Sequence, residues 1–284
     1  MSPHRTARGV HEPVRPFTPD PDLPGLTFGG ALVSELRKLA ALRTAWWLTG
    51  ISVGLSVLLA AAVSWSFTGA AAEAELGHPS DIADGAMAGT YFAMILLGAL
   101  AVIAVTTEYS TGSIRSALTA VPRRGMLAAA KLVAVLLMTA AAAAVIVGIS
   151  HLTAALITEQ LGVLDVVADG TVPIIYGASW LAMIITAALG FGLGLLLRSS
   201  AGGIVVLAVL LFVIDLALAV MYGVTQADWV QSLSEWHYMF FLNEFVRLGD
   251  EHREVGRPVA MLGMLVWAVV PTIAGWIRFL RADA

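Results

Sequence analysis

Six long apolar stretches alternate with shorter polar segments along the chain. A helix of ~20 apolar residues crosses the hydrocarbon core of a bilayer. The stretches of that length are Trp46–Phe67, Met87–Thr107, Met126–Ile157, Tyr176–Leu197, Gly203–Tyr222 and Val259–Leu280. The third is longer than one crossing requires, so we expect it to tilt or to begin as an interfacial turn. This pattern predicts an all-α integral membrane protein with six transmembrane helices.

The polar region before the first span divides into two parts. Residues 1–28 are rich in proline and lack a hydrophobic period, which is typical of a disordered tail, so the six-span domain is expected over 29–284. Between Gly29 and Thr44, one helical face is shared by Leu32, Leu36, Leu39 and Arg43. This segment is either an amphipathic helix resting on the membrane interface, where its bases meet anionic lipid, or an extension of the first span.

Lysine and arginine are distributed unevenly between the loops, and this predicts the orientation. If the N-terminus is cytoplasmic, 13 of the 16 basic residues lie inside and three lie outside. Cytoplasmic loops of membrane proteins are enriched in lysine and arginine. We therefore expect the chain to lie in the cell's plasma membrane, with both termini in the cytoplasm.

Composition agrees with this class and excludes others. Of the 284 residues, 58% are hydrophobic and 13% are charged, against ~25% charged residues in a soluble domain. The chain has no cysteine, and its six histidines lack metal-ligand spacing, so we expect no metal site. It also lacks a P-loop and the common hydrolase motifs. No catalytic residue and no nucleic-acid partner are expected, and the chain is not an enzyme by itself.

The segment between the second and third spans, Thr106–Lys131, differs from both neighbours. Its one acid, Glu108, is followed by four bases, Arg115, Arg123, Arg124 and Lys131. Apolar residues recur at helical spacing at Ile114, Leu118 and Val121. One face is therefore apolar and the other polar or basic, which is typical of a short helix in a membrane interface. Pro122 then ends or kinks that helix.

Here the chain resembles the permease subunits of bacterial type-2 ABC exporters, in particular actinobacterial ones. The resemblance is carried by Glu108, Thr111-Gly112-Ser113-Ile114, Pro122, Arg124 and Lys131. They follow that family's order of an acid, Thr-Gly-Thr-Ile, a proline with a nearby arginine, and a lysine. Ser113 departs from the usual threonine but keeps the hydroxyl. A second similarity covers Ser34–Leu39 and Arg43–Trp47, so the first half of the chain carries the matches, and the second half matches only in its spans.

The resemblance implies a function and a set of partners. In that family this segment is a cytoplasmic coupling helix that docks on the ATPase, which assigns ATPase coupling to Glu108, Thr111, Gly112, Ser113, Ile114, Arg115, Pro122, Arg124 and Lys131. Two permeases, identical or related, would join two ABC ATPase subunits. ATP and Mg²⁺ would bind those subunits, and this chain would hold no cofactor. Candidate substrates are an antimicrobial peptide, a drug-like metabolite, a lipid or a polymer, and the sequence does not choose among them.

Two carboxylates in the spans have alternative roles. Glu108 either extends to water at the end of the second span, or positions the coupling helix by capping it or by pairing with Arg115, Arg124 or Lys131. Asp215 lies near the middle of the fifth span, where an isolated charge is unfavourable. It either lines the substrate path, or is a structural acid bonded to Ser179, Thr186 or His151.

Three further features complete the expectations. G-x-x-x-G pairs at Gly50–Gly54 and Gly190–Gly194 predict close helix packing. The aromatic-rich segment after the fifth span, within 223–258, predicts one or two helices lying in the outer interface or an ordinary loop cap. The rival function is an ion- or proton-coupled secondary transporter that uses Asp215.

Overall fold

In a computed structural model of the chain, the described residues are 27–66, 68, 79–113, 123–158, 170–247 and 254–281. They form helices, with no β-strand among them. The helices are α1 (Phe28–Ala41), α2 (Arg43–Ser66), α3 (Pro79–Ala86), α4 (Thr90–Ser110), α5 (Arg124–Thr158), α6 (Val172–Leu197), α7 (Ser200–Ala208), a π-helical turn (Val209–Val213), α8 (Ile214–Thr225), α9 (Asp228–Ser234), α10 (Tyr238–Val246) and α11 (Arg257–Arg281).

Six helical segments in the described part of the chain are long and apolar enough to cross a membrane, which confirms the predicted number. The segments are Arg43–Ser66, Ser80–Ser110, Arg124–Thr158, Val172–Leu197, Ser200–Thr225 and Arg257–Arg281. The second begins earlier than predicted because α3 continues into α4 through a short turn at 87–89. The predicted tail at 1–28 lies almost wholly outside the described residues.

Helices α4 and α6 form the centre of the bundle, and their backbones approach each other closely. A Cβ added at Gly190 would overlap the backbone of Gly98, and one added at Gly194 would lie 3.0 Å from the carbonyl oxygen of Val102. Small residues let helix backbones approach in this way, so the predicted packing role of the fourth-span glycine pair is confirmed. The pair in the first span, Gly50–Gly54, faces open space within the chain.

The two ends of the bundle differ in the helices that meet there. An apolar cluster formed by Leu39, Leu127, Leu195 and Phe279 gathers α1, the start of α5 and the last turns of α6 and α11 at one end. We call this the α1 end, and the opposite one, which carries α9 and α10, the α10 end. The segments at the α1 end are those that charge counting places in the cytoplasm. The side of the membrane on which this end lies stays a prediction.

Helix α1 is separate from the first span, so the alternative of a simple extension is wrong. Thr27 caps α1 by accepting a hydrogen bond from the backbone N–H of Gly30 at 3.1 Å. Leu42 has an extended backbone (ψ 106°) and ends the helix before α2 begins. The buried face carries Ala31, Glu35 and Leu39 and packs against α5. This face is rotated from the predicted one, because the helix is covered by protein and places an acid inside.

Helices α9 and α10 belong to the 223–258 segment, which is expected to lie in the outer interface or to cap the bundle as an ordinary loop, and they instead enter the bundle. Trp267 donates its indole N–H to the carbonyl of Trp236 at 3.1 Å, and Tyr238 shares a hydrogen bond with Thr186 at 2.7 Å. At 1.5 Å per helical residue, these partners lie roughly 15 and 21 Å below the α10-end starts of α11 and α6. The turn between α9 and α10 therefore reaches the middle of the bundle.

Candidate functional site

Four charged side chains form a closed ring at the α1 end. Lys131 on α5 contacts Glu35 on α1 at 2.5 Å and Glu108 on α4 at 2.8 Å. Lys38 on α1 contacts the same two carboxylates, at 2.6 and 3.0 Å. Each lysine therefore bridges both acids, and the ring, which we call the charged ring, is neutral when all four groups are ionised. Lysine suits this position because its ammonium is a compact charge with three donors.

Most of the charged ring is shielded from solvent. Glu35 is 2% exposed and Lys131 7% exposed, whereas the side chain of Lys38 is 44% exposed. Leu39, Val105 and Leu127 belong to the apolar cluster at this end. A charge buried among apolar groups is unfavourable unless it is paired and hydrogen-bonded. The ring supplies that pairing, so it holds α1 to both α4 and α5.

Lys38 lies outside the spans, and its surroundings raise its pKa. Burial disfavours its protonated form, but hydrogen bonds and charge attraction from Glu35 and Glu108 outweigh that effect and raise the pKa of Lys38. A raised pKa means that the ammonium contributes stability below its unfolded value of about 10.5, and that this contribution is lost as pH rises through the folded pKa. Lys38 is therefore charged throughout the physiological range.

Sequence reasoning identified half of the charged ring. Glu108 was expected to pair with one of three bases, and it pairs with Lys131. Glu35 and Lys38 have no site role in the sequence interpretation, which treats this segment as a helix resting on the membrane interface or as an extension of the first span. Two signals pointed to them: Lys38 and Lys131 are the only lysines in the chain, and Glu35 shares a helical face with Ala31 and Leu39.

The Thr-Gly-Ser part of the predicted coupling signature terminates α4. Thr111 donates its hydroxyl to the carbonyl of Thr107 at 2.7 Å and contacts the Ser113 hydroxyl at 2.9 Å. Gly112 follows with φ +71°, a left-handed conformation that glycine adopts without the steric cost other residues incur. These residues thus have a structural role in ending α4, in addition to any role in coupling.

The remaining residues of the signature are only partly described. Ile114, Arg115 and Pro122 lie outside the described residues, and so does most of the predicted coupling helix. Arg124 is the first residue of α5 and lies two residues beyond the gap at 114–122. The helix predicted at 114–121 therefore stays a prediction.

The other side of the α4 end contacts the turn between α6 and α7. The guanidinium of Arg198 lies 5.1 Å from the ring centre of Tyr109, within the range of a cation–π contact. The hydroxyls of Thr106 and Ser200 lie 2.6 Å apart. Arg198 also donates to the carbonyl of Arg278 on α11 at 3.2 Å. The last turn of α4 is thus fixed between the charged ring on one side and two further spans on the other.

Asp215 has a partner that sequence reasoning did not propose. Its Oδ1 lies 3.0 Å from Nε2 of His237, in the turn between α9 and α10. The three predicted partners are not used: Thr186 bonds Tyr238, His151 bonds the hydroxyl of Tyr176 at 2.9 Å, and Ser179 lies elsewhere. Sequence reasoning missed this pair because residues 228–246 fold back into the bundle. The fold-back brings the imidazole of His237 to the depth of Asp215.

Asp215 is also less enclosed than expected. Its side chain is 47% exposed, whereas that of His237 is 9% exposed. It lies two residues after Val213, the end of the π-helical turn, and such turns occur frequently at functional sites. The exposed half of the carboxylate is on a surface of the fifth span that the described part of this chain does not cover.

Within the described residues, no group of three or more histidine, aspartate or glutamate side chains could hold a metal ion. No family model matches the chain, and no curated protein matches it. The functional interpretation therefore rests on the residues and their geometry.

Proposed function

We propose that this chain is the permease subunit of an ATP-driven exporter of the type-2 ABC class, driven by a separate ATPase. The observation that carries the proposal is the charged ring. Its members Glu108 and Lys131 are the first and last residues of the predicted coupling signature, and their side chains are in contact at 2.8 Å. The two ends of the intervening loop are thereby held together by one ion pair, which anchors it to the charged ring.

This anchor suits the transmission of force from a docked ATPase. A displacement of the loop moves the end of α4 and the start of α5 together, since both are joined to α1 through Glu35 and Lys38. Helix α4 packs tightly along α6, so a movement at its end reaches the centre of the bundle. Packed helices have low compressibility and transmit strain.

The face of the fifth span that bears Asp215 is proposed to line the transport path. An ionised carboxylate at mid-span depth is unfavourable against lipid and is expected to face water or another protein surface. A path formed between two copies of the permease, or between this chain and a related one, satisfies that requirement. His237 then orients the carboxylate from inside the bundle.

The test is purification in a mild detergent followed by an ATPase assay. We expect an ATPase with a P-loop to co-purify with the wild-type chain. Glu108→Ala should insert and retain the partner but lower substrate-stimulated ATP hydrolysis, because one member of the anchor is lost. Glu254→Gln, at the opposite end, is the matched control and should behave as wild type. Absence of any partner ATPase, or unchanged activity of Glu108→Ala, would refute the proposal.

A second candidate function is supported by one observation, the Asp215–His237 pair. Two titratable groups in contact at mid-span depth suit a proton-coupled secondary transporter. The candidates differ in their energy source. Uptake into inverted vesicles that requires ATP and survives a protonophore supports the exporter, whereas transport that is abolished by the protonophore without ATP supports proton coupling.

A further inference from the structure

A cavity of about 470 Å³ opens at the α10 end, away from the charged ring. It is formed where α3 and the start of α4 meet α2, α6 and α10. Its described lining includes Asp81, Asp84, Ala88, Tyr91, Ser179 and Val246. Its volume lies within the ~300–1,000 Å³ typical of small-molecule sites, and apolar side chains form much of its wall.

Two of the polar groups that line this cavity are carboxylates without an ion-pair partner among the described residues. Asp81 and Asp84 lie three residues apart on α3, and neither forms an ion pair with any residue in the described part of the chain. Ser179 on α6 is 2% exposed, and its hydroxyl has no hydrogen-bond partner among the described residues. Ser179 lines the cavity, so its hydroxyl is available to hydrogen-bond a group that binds there.

A base beside the cavity is already paired with another carboxylate. Arg247 follows the lining residue Val246, and its guanidinium pairs with Glu244 at 3.0 Å. None of the lining residues that the structure describes is basic. Tyr91 adds an aromatic ring, and its hydroxyl donates to Asn243 at 3.0 Å. Aromatic faces attract cations, whereas two carboxylates repel an anion.

We propose that this cavity binds an amphipathic organic cation, with the charged nitrogen near Asp81 and Asp84 and the apolar body between α2, α4 and α10. An amino group of the ligand would donate a hydrogen bond to Ser179. The site is distinct from the charged ring and from Asp215, and it does not depend on the proposed transport function.

The test uses ethidium, a fluorescent cation with an apolar body and two amino groups, and the full-length protein in phosphatidylcholine nanodiscs. We expect saturable binding by the wild-type chain. The double variant Asp81→Asn/Asp84→Asn should bind at least tenfold more weakly, and Ser179→Ala severalfold more weakly. Asp228→Asn removes a carboxylate from the same end but outside the cavity, and should bind as wild type does.

Ala88→Leu separates occupancy of the cavity from charge. It leaves both carboxylates in place and fills part of the volume, so it should weaken ethidium binding while high salt still weakens what remains. Absence of saturable binding by the wild-type chain overturns the proposal. Equal loss of binding in Asp228→Asn and in the double variant also overturns it, because the effect would then come from surface charge alone.

Discussion

Replacing Lys131 with methionine tests the charged ring directly. Methionine matches the length of the lysine stem but has no charge. The substitution leaves Glu35 and Glu108, both bound to the same ammonium in the wild type, as two buried carboxylates with only Lys38 between them. Removing one partner of a buried ion pair destabilises a protein by about 3–5 kcal/mol, because a buried charge is left uncompensated.

The matched control is Lys38→Met, which removes the other lysine of the same ring. The side chain of Lys38 is 44% exposed, and exposed ion pairs contribute about 0–1 kcal/mol. On the scale of about 2–4 °C per kcal/mol for domains of this size, Lys131→Met should lower the melting temperature by roughly 6–20 °C. Lys38→Met should lower it by a few degrees at most.

Thermal unfolding in one detergent, followed by fluorescence-detected size-exclusion chromatography, measures both variants. The double variant Lys131→Met/Glu35→Gln should recover much of the loss, since the remaining Glu108 still pairs with Lys38. Equal stability of the two single variants would refute this explanation, in which the burial of Lys131 causes the difference between their melting temperatures. Failure of the double variant to recover would show that packing, and not charge, dominates at this position.

Three further predictions follow from glycine positions and topology. Gly190→Leu should prevent folding, since even a Cβ overlaps the opposing backbone of α4, whereas Gly50→Leu should be recovered as a monodisperse protein. Gly112 has a φ of +71°, and Gly112→Ala should therefore lower stability by about 1–2 kcal/mol. Gly112→Asn should lower it less in the same thermal assay, because asparagine tolerates the left-handed conformation better than alanine. In this cysteine-free chain, an impermeant thiol reagent on intact cells should label Asp250→Cys and not Thr119→Cys, and the reverse pattern would invert the proposed orientation.

The six spans were predictable because an apolar stretch of fixed length is a local property of the sequence. The fold-back of α9 and α10 was not, since its aromatic residues fit an interfacial helix equally well. What decides between these positions is a set of distant contacts, such as Tyr238 with Thr186, which no local pattern contains. The error at Asp215 follows from the same cause, because its partner His237 lies on that segment.

The charged ring was half predictable for a related reason. Glu108 and Lys131 are prominent as isolated charges beside long apolar stretches, so sequence reasoning found them. Glu35 and Lys38 lie in a segment with several charges, where pairing at i and i+3 resembles an ordinary exposed helix face. Only the packing of α1 on α5 shows that this face is covered.

The π-helical turn in the fifth span has a consequence for insertions and deletions there. Its last hydrogen bond, from the N–H of Ile214 to the carbonyl of Val209, encloses one residue more than an α-helical turn. Deleting one residue from Val209–Val213 would therefore restore a regular α-helical turn and leave everything beyond it facing as before. Deleting one residue from α7 would instead rotate the rest of the span by about 100°, so that Asp215 would leave His237 although the hydropathy profile hardly changes. The π-helical turn is thus the place in this span where the residue count can change by one without redirecting the carboxylate.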